Sequence, residues 1–497
     1  MNCPKCGAEN PDNTQRCGSC GCVLKRPDIV QPNMQARTSK LAILSLVLGV
    51  LSLPFFVLAG LPAMIVAIVS IVRISGSGGR LKGMPVALAG IIDSILMMCV
   101  FAVLWCFDAP PIPDDYTLAD FRSAPTECAE SFEILKTLID ESWSLPGAPA
   151  IGLTKEDIKI IDEASEVIEN GSASQIAESL SRHAAEIDQA WTRAEKARGV
   201  IRRLNEFPQI ADLTEPRIGD KTMRWHNLIE LARLYQAYAN LQTEADDIYA
   251  VIADLIELDS VFRKLSPNVR VFIEKLICLM CIEENMVTAN AIVNNPVVAR
   301  ESVELLARHF RPLTNEQMSL RNGMLSEYFF MKDVVSEVSG QTADGKMPLL
   351  KTNSTLRVYR NYCDNWLDAI KQNGHVATRL SAWPNYYPFR VPDPLPTRGL
   401  LPMIYRCYNP LGSRCIHTFG FSRNIDAKNN YISVSEDLFQ IVLNKRLGKE
   451  VSLKARAYSD EYIVDVEGRK IFSPGPDGKP NTRDDIKLSI NPELLGW

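Results

Sequence analysis

Two C-x-x-C pairs open the chain, separated by ten residues and formed by Cys3, Cys6, Cys17 and Cys20. Zinc prefers four tetrahedral ligands, and a two-residue gap lets both sulfurs of a pair face one ion. Gly7 and Gly21 directly follow the two pairs and permit the left-handed turn that such a knuckle needs. Because protein would fill all four coordination positions, the pattern predicts a structural Zn²⁺ site rather than a catalytic one.

Segment 1–26 is too short to bury a core, so metal binding would supply nearly all of its folding free energy. It resembles the short zinc ribbons found at the N-termini of many bacterial membrane proteins. Disulfides or free thiols are the alternative, and the fifth cysteine, Cys22, is either a spectator or a replacement ligand. Since reduced thiolates require a reducing compartment, the zinc interpretation places this end of the chain in the cytoplasm.

The sequence contains no local pattern typical of an enzyme active site. There is neither a P-loop nor a dinucleotide-binding fingerprint, and H-E-x-x-H and G-x-S-x-G patterns are missing around the five histidines: His183, His226, His309, His375 and His417. Cys278 and Cys281 form another C-x-x-C, but the run KLICLMCIEEN predicts an apolar helix face, which favours core packing over redox chemistry. These patterns favour a protein that is not an enzyme.

A loop near the C-terminus, SPGPDGKPNTRDDIKL, carries Asp477, Asp484 and Asp485 between two strand-like runs. Calcium takes six to eight hard oxygen ligands from carboxylates and carbonyls. Over about 20 residues the loop resembles the C-terminal calcium loop of the type II secretion major pseudopilins, and this resemblance implies a Ca²⁺ site. The pseudopilin methylation signature is missing, which argues that the chain is not itself a pseudopilin. The alternative is a solvated turn in which Asp477-Gly478 closes a hairpin.

Cys407 and Cys415 flank a short loop that contains Asn409-Pro410 and Gly412. In an oxidising compartment these two cysteines can form a disulfide that closes the loop. The disulfide is therefore expected only if this part of the chain lies outside the cytoplasm.

The averages of the chain describe an ordinary folded protein and hide an uneven distribution. Its 497 residues are 46% apolar and 23% charged, with a net charge of −5. This composition excludes wholesale disorder and argues against nucleic-acid binding by the whole chain. The length predicts several domains, and the mean hydropathy of −0.04 suits a soluble protein. The apolar residues, however, are concentrated in Leu41–Phe107.

Region 41–107 is predicted to be a transmembrane module of about three membrane segments. Leu41–Val72 contains no charged residue, and Met84–Phe107 contains only Asp93. About 20 apolar residues span a bilayer as a helix. Asp93 is a functional candidate at membrane depth, and the alternative is a carboxyl that is satisfied near the cytoplasmic interface.

The flanking charges predict the orientation of this module. Basic residues lie on both sides of Leu41–Val72, which favours a hairpin of two short helices with both flanks in the cytoplasm. One long span is the alternative. Acidic residues follow Phe107, so the third segment is predicted to carry the remaining chain out of the cytoplasm.

The runs LAILSLVLGVLSL and IVRISGSGGRLKGMPVALAGII resemble the bacterial DUF4190 membrane module, which often follows an N-terminal zinc ribbon. The similarity covers residues 40–105, and GRLKGMPVALAG is its most specific part. Asp93 departs from the small or apolar residue usual in that family. Because the family has no established activity, the resemblance implies topology and not function.

The pattern predicts a multidomain protein with a zinc ribbon (1–26), a linker (27–40) and the α-helical membrane module (41–107). Residues 108–338 form a mainly α-helical large domain of about seven to nine helices, on their 3.6-residue apolar spacing. Residues 339–497 form a small α+β unit, because SLKARA and EYIVDVEGRKIF alternate like strands. This layout is similar to large membrane-anchored proteins of planctomycete-type bacteria, for which no reaction is known.

Together these features predict a protein of the bacterial inner (cytoplasmic) membrane, with a cytoplasmic N-terminus and an extracytoplasmic C-terminal domain. Its predicted role is non-enzymatic binding or scaffolding between a protein partner in the cytoplasm and one in the envelope. One alternative is an envelope hydrolase, which a cluster of His, Asp or Glu in one cleft would favour. The other is a membrane-tethered regulator whose ribbon binds nucleic acid, for which the ribbon carries few basic residues.

Overall fold

The computed structural model describes residues 1–12, 14–24, 37–55, 57–121, 128–138, 151–170, 173–216, 225–244, 248–340, 350–373, 409–419, 424–455 and 458–497. The protein is mostly helical (65%), with one small three-stranded sheet near the C-terminus. The predicted helical fold class with C-terminal strands is thereby confirmed. The chain divides into two compact units, Met1–Phe107 and Asp108–Trp497.

Three apolar helices form most of the first unit: α1 (Lys40–Phe55), α2 (Val57–Ser75) and α3 (Met84–Cys106). Ser39 Oγ lies 3.3 Å from Ser70 Oγ, so the start of α1 lies beside the end of α2 and the two helices form an antiparallel hairpin. The two-residue strands β1 (Arg37–Thr38) and β2 (Leu81–Lys82) pair in parallel. This pairing brings the starts of α1 and α3 together.

The packing of these helices is the reverse of that in a water-soluble bundle. Their side chains with no exposed surface are small: Ala42, Ser45, Ala63, Ala67, Ser70, Ala87 and Ser94. Large apolar side chains face outward instead and are exposed, among them Ile43, Val47, Val50, Ile65, Val72, Ile92, Leu96 and Val103. Small residues at the contacts let helix backbones approach closely, as in helices that pack within lipid.

The second unit is built mainly from helices. They are α4 (Cys128–Lys136), α5 (Lys155–Asn170), α6 (Ala173–Arg182), α7 (Ala184–Arg193), α8 (Glu195–Asn205), α9 (His226–Leu241), α10 (Ile248–Leu265), α11 (Phe272–Val293), α12 (Arg300–His309), α13 (Asn315–Met318), α14 (Arg321–Gly340), α15 (Thr352–Asn373), α16 (Pro410–Phe419), α17 (Asn424–Arg446) and α18 (Pro492–Leu495). Most of them share one large hydrophobic core, in which Leu231, Phe262 and Ile282 are completely buried.

By length and composition, α11 is the one helix in the described ranges that could cross a membrane. This is weak evidence for a span, because 61% of its most apolar 18-residue stretch is buried inside the protein and α11 lies in the core of the second unit. The described apolar stretches of α1, α2 and α3 are shorter, at Lys40–Val50, Gly60–Ser75 and Met84–Val100.

The C-terminal sheet packs onto the helical core. It consists of β3 (Ile463–Asp465), β4 (Lys470–Ser473) and β5 (Ile486–Ser489), antiparallel in this order. Ile486 and Leu488 alternate with exposed residues along β5 and join the same core cluster as the helices before residue 338. Since both sides of residue 338 contribute to one core, the division of this region into two domains remains a prediction.

The segment that begins at Asp108 is fastened to helices of the second unit. The Asp108 carboxylate accepts hydrogen bonds from the backbone N–H groups of Asn353 (2.8 Å) and Ser354 (3.0 Å). These groups lie at the start of α15, where the helix dipole favours a negative charge. Asp115 then accepts a hydrogen bond from the Tyr328 hydroxyl at 2.6 Å. The chain after the apolar helices is therefore held along α15 and α14.

Candidate metal centre

The sulfur atoms of Cys3, Cys6, Cys17 and Cys20 all lie within 4.8 Å of one another. Cys3 Sγ lies 3.6 Å from Cys20 Sγ, and Cys6 Sγ lies 3.6 Å from Cys17 Sγ. Zn–S bonds of about 2.3 Å in a tetrahedron place the sulfurs about 3.8 Å apart. These four cysteines therefore form a site that fits a metal ion and is compatible with structural zinc. The identity of the metal stays a prediction.

The two knuckles have the same local fold. The N–H of Gly7 donates to the carbonyl of Cys3 at 2.9 Å, and that of Gly21 donates to the carbonyl of Cys17 at 2.8 Å. Gly7 has φ +72° and Gly21 has φ +70°, in the left-handed region that a side chain disfavours. The glycines thus turn the chain so that both thiols of each pair point to one centre. Cys22 lies outside the four-sulfur cluster.

Asn10 contacts the cysteine cluster through its side chain. No motif in the sequence indicated this residue. Its side chain is buried, and Nδ2 donates to Cys17 Sγ at 3.4 Å. Oδ1 accepts a hydrogen bond from the Gly18 N–H at 3.0 Å, which fixes the amide. Partners of this kind orient metal ligands and compensate their charge. Asn10 lies eight residues from Gly18, so no local spacing motif points to it.

The thiols differ in their tendency to ionise. Hydrogen bonds from the N–H groups of Cys20 and Ser19 lower the pKa of the Cys17 thiol to about 6. The Cys22 N–H lowers the pKa of Cys20, but the neighbouring thiols, first that of Cys6, and burial raise it to about 12 overall. Crowded thiolates repel one another, and a divalent cation at their centre would let all four ionise.

The predicted calcium loop brings its three carboxylates around one hydroxyl. The Thr482 Oγ1 atom lies 3.4 Å from Asp477 Oδ1, 2.7 Å from Asp484 Oδ1 and 3.3 Å from Asp485 Oδ1. Hydrogen bonds within the loop already engage these carboxylates. Throughout the described ranges, the cysteine cluster is the only group of three or more His, Cys, Asp or Glu ligand atoms within 4.8 Å of one another. The Ca²⁺ site stays a prediction.

The other cysteine expectations differ in outcome. Cys278 and Cys281 are fully buried on α11, and burial raises the pKa of both thiols. That environment suits core packing. Cys415 lies on α16, whereas Cys407 lies outside the described residues. The disulfide between Cys407 and Cys415 therefore stays a prediction.

One polar cluster in the second unit has no counterpart among the sequence motifs. His309 Nε2 lies 2.8 Å from Oδ2 of Asp259, which has no exposed surface. Both side chains belong to a network with Arg263, whose Nε donates to the same oxygen. Asp259 lies on α10 and His309 ends α12, so only the packing of these helices brings them together.

No protein-family model matches the chain, and no match is found among curated proteins or among solved structures.

Proposed function

We propose that the chain is a membrane-anchored, zinc-ribbon-containing binding or scaffold protein of the bacterial envelope. The observation that carries this proposal is the reversed packing of α1, α2 and α3. Their contacts use Ala, Ser and Gly, and their large apolar side chains are exposed. In water this surface would drive aggregation, whereas a bilayer would cover it.

The charges at the ends of the helices support an orientation. Exposed cations lie where α1 and α3 begin and α2 ends: Arg37, Lys40, Arg73, Arg80 and Lys82. Cytoplasmic flanks of membrane helices carry such an excess of Lys and Arg. Asp108 follows the other end of α3. We therefore infer that the three helices lie in the inner membrane. The ribbon is then in the cytoplasm, and the unit Asp108–Trp497 is outside the cytoplasm.

The zinc ribbon supports the binding role. A site with four thiolate ligands is closed to substrate, so its zinc would hold the ribbon fold together. In the proposed topology the ribbon and the large domain lie on opposite sides of the membrane, which suits contact with a protein partner on each side. The resemblance to the DUF4190 module is consistent with this arrangement.

The enzymatic alternative has one observation in its favour. Asp259 and His309 form the carboxylate–histidine pair that a hydrolase in the large domain would need, and they meet beside a cavity. A histidine fixed by a carboxylate is a common general acid–base arrangement. An enzymatic role would be shown by hydrolysis of a substrate by the wild-type protein that is lost in His309→Gln.

Reporter fusions test the anchor and its orientation. Alkaline phosphatase, which is active only outside the cytoplasm, is fused after Asp115 and after Trp497, and a fluorescent protein that folds in the cytoplasm is fused to the same positions. We expect active phosphatase and no fluorescence at both. A fluorescent protein fused before Met1 is the matched control and should be bright.

The opposite pattern at both positions would overturn the orientation and remove the basis for the disulfide. Release of the chain from membranes at alkaline pH would overturn the anchor itself.

A further inference from the structure

A cavity of about 250 Å³ in the second unit lies beside the buried Asp259–His309 pair. Its walls come from the end of α10, the turn Ser266–Asn268, the end of α12 and α13. The volume is slightly below the range of about 300–1,000 Å³ typical of small-molecule sites. A ligand that fits it would therefore be small.

The Asp259 carboxylate fixes the proton on His309. Burial alone would raise the pKa of Asp259, but the charge of Arg263 and the hydrogen bond from His309 outweigh it, and the pKa lies below its ordinary value. An ionised carboxylate accepts hydrogen bonds only, so Nε2 of His309 donates to it. His309 lines the cavity, and its other nitrogen, Nδ1, has no hydrogen-bond partner among the residues that the structure describes.

Arg263 and Lys264 line the same cavity with positively charged side chains. Arg263 is 8% exposed; its Nη1 donates to the Arg311 carbonyl at 2.7 Å, and its Nη2 has no partner in the described part of the chain. Lys264 Nζ donates to the Asn205 carbonyl at 2.7 Å and keeps further N–H groups to offer. Among the residues that the structure describes, Glu316 is the one carboxylate that lines this cavity.

The remaining polar lining consists of hydroxyls and amides. Ser260 follows Asp259 on α10, and Thr314 precedes α13. Such neutral groups donate hydrogen bonds to oxyanions and fix their orientation. Arg263 and Lys264 bring two positive charges to the lining and Glu316 one negative charge, while the Asp259 carboxylate behind His309 is held by Arg263 and His309. The donors left at the cavity wall suit a negatively charged group.

We propose that this cavity binds a small ligand through an oxyanion, either a phosphate or a carboxylate group. Lys264 and Arg263 supply the opposite charge. In its protonated form His309 donates from Nδ1 as well as from Nε2, and Ser260 and Thr314 offer hydroxyls. The proposal does not depend on the membrane anchor or on the zinc ribbon.

Titration calorimetry on the full chain in detergent tests the proposal with two probes, inorganic phosphate in one arm and succinate in the other. We expect saturable binding of at least one probe by the wild-type protein. Lys264→Met should weaken that binding at least tenfold. Lys159→Met is the matched control, because Lys159 is a 79% exposed lysine on α5, and should bind as the wild type does.

Two further variants keep the test independent of folding defects. Ser260→Ala removes a hydroxyl without a charge, and His309→Gln retains an N–H donor for Asp259. Each should weaken binding several-fold, whereas His226→Gln, at a histidine that is 67% exposed, should not. The arm that binds identifies the oxyanion as phosphate or carboxylate. No saturable binding in either arm, or equal losses in Lys264→Met and Lys159→Met, would overturn the proposal.

Discussion

Gly90 of α3 lies directly against Ser45 of α1. A methyl group built on Gly90 would lie 3.0 Å from the Ser45 carbonyl oxygen and 3.1 Å from its Oγ. Ser45 has no exposed surface, and its hydroxyl donates to the Ala42 carbonyl at 2.8 Å. The two helices approach this closely because position 90 has no side chain.

Replacing Gly90 with leucine should therefore force α1 and α3 apart. Overpacking of this kind costs about 1–3 kcal/mol, and we expect a lower midpoint for thermal unfolding of the protein in detergent. Ile92→Leu is the control, because Ile92 is 65% exposed on the same helix. Equal midpoints for Gly90→Leu and the wild type would contradict the small-residue contact on which the membrane proposal depends.

The ligand assignment is tested by single cysteine variants. Cys17→Ser removes one of four sulfurs, so we expect the purified protein to lose its zinc and the ribbon to unfold. Cys22→Ser should retain one zinc ion per chain, because Cys22 lies outside the cluster. Atomic emission on the purified proteins measures the ratio. Zinc loss in Cys22→Ser alone would reassign the fourth ligand.

Asn10→Ala should weaken zinc binding without removing a ligand. Its Nδ2 donates to Cys17 Sγ, and loss of such a partner typically lowers metal affinity about 10–100-fold. Competition with a coloured chelator measures the affinity. Gln15→Ala, at an exposed position between the knuckles, serves as the control and should match the wild type. An unchanged affinity in Asn10→Ala would limit Asn10 to a structural role.

The cysteine cluster could be predicted because its ligands lie close together in the sequence and each knuckle is a local turn. Asp259 and His309 could not, since they lie on separate helices and meet only through the packing of α10 against α12. The helical fold class followed from apolar spacing. The core shared by the helices and the C-terminal sheet could not be predicted in this way. Apolar spacing shows that one face of a helix or strand is apolar, but it does not show which other element covers that face.

The calcium prediction is tested by stability. Calcium at ten times its dissociation constant would stabilise the folded chain by about 1.4 kcal/mol. We therefore expect Ca²⁺ to raise the unfolding midpoint of the wild type and not that of Asp484→Asn. Asp460→Asn, at an exposed position outside the loop, should respond as the wild type does. If Ca²⁺ leaves the wild type unchanged, the loop is a turn closed by its own hydrogen bonds.

Glu230 makes the stability of the second unit depend on pH. The residue is 1% exposed, and neither carboxyl oxygen has a hydrogen-bond partner among described residues. Burial raises its pKa from 4.5 to about 7; the charge of Asp162 adds to the rise and that of Arg233 opposes it. Between these values the unfolded chain releases a proton that the folded chain retains. As far as Glu230 is concerned, the free energy of unfolding should therefore be highest below pH 4.5 and fall as the pH rises to 7.

Glu230→Gln keeps the shape of the side chain and removes this titration. At pH 8 we expect the variant to be more stable than the wild type by about 3 kcal/mol, and near pH 4 the two should be equal. Denaturant unfolding across this pH range measures the difference. Glu178→Gln, at a glutamate that is 74% exposed, should show no such divergence. A constant difference between Glu230→Gln and the wild type at every pH would mean that Glu230 is ionised in the folded protein, with Arg233 compensating its charge.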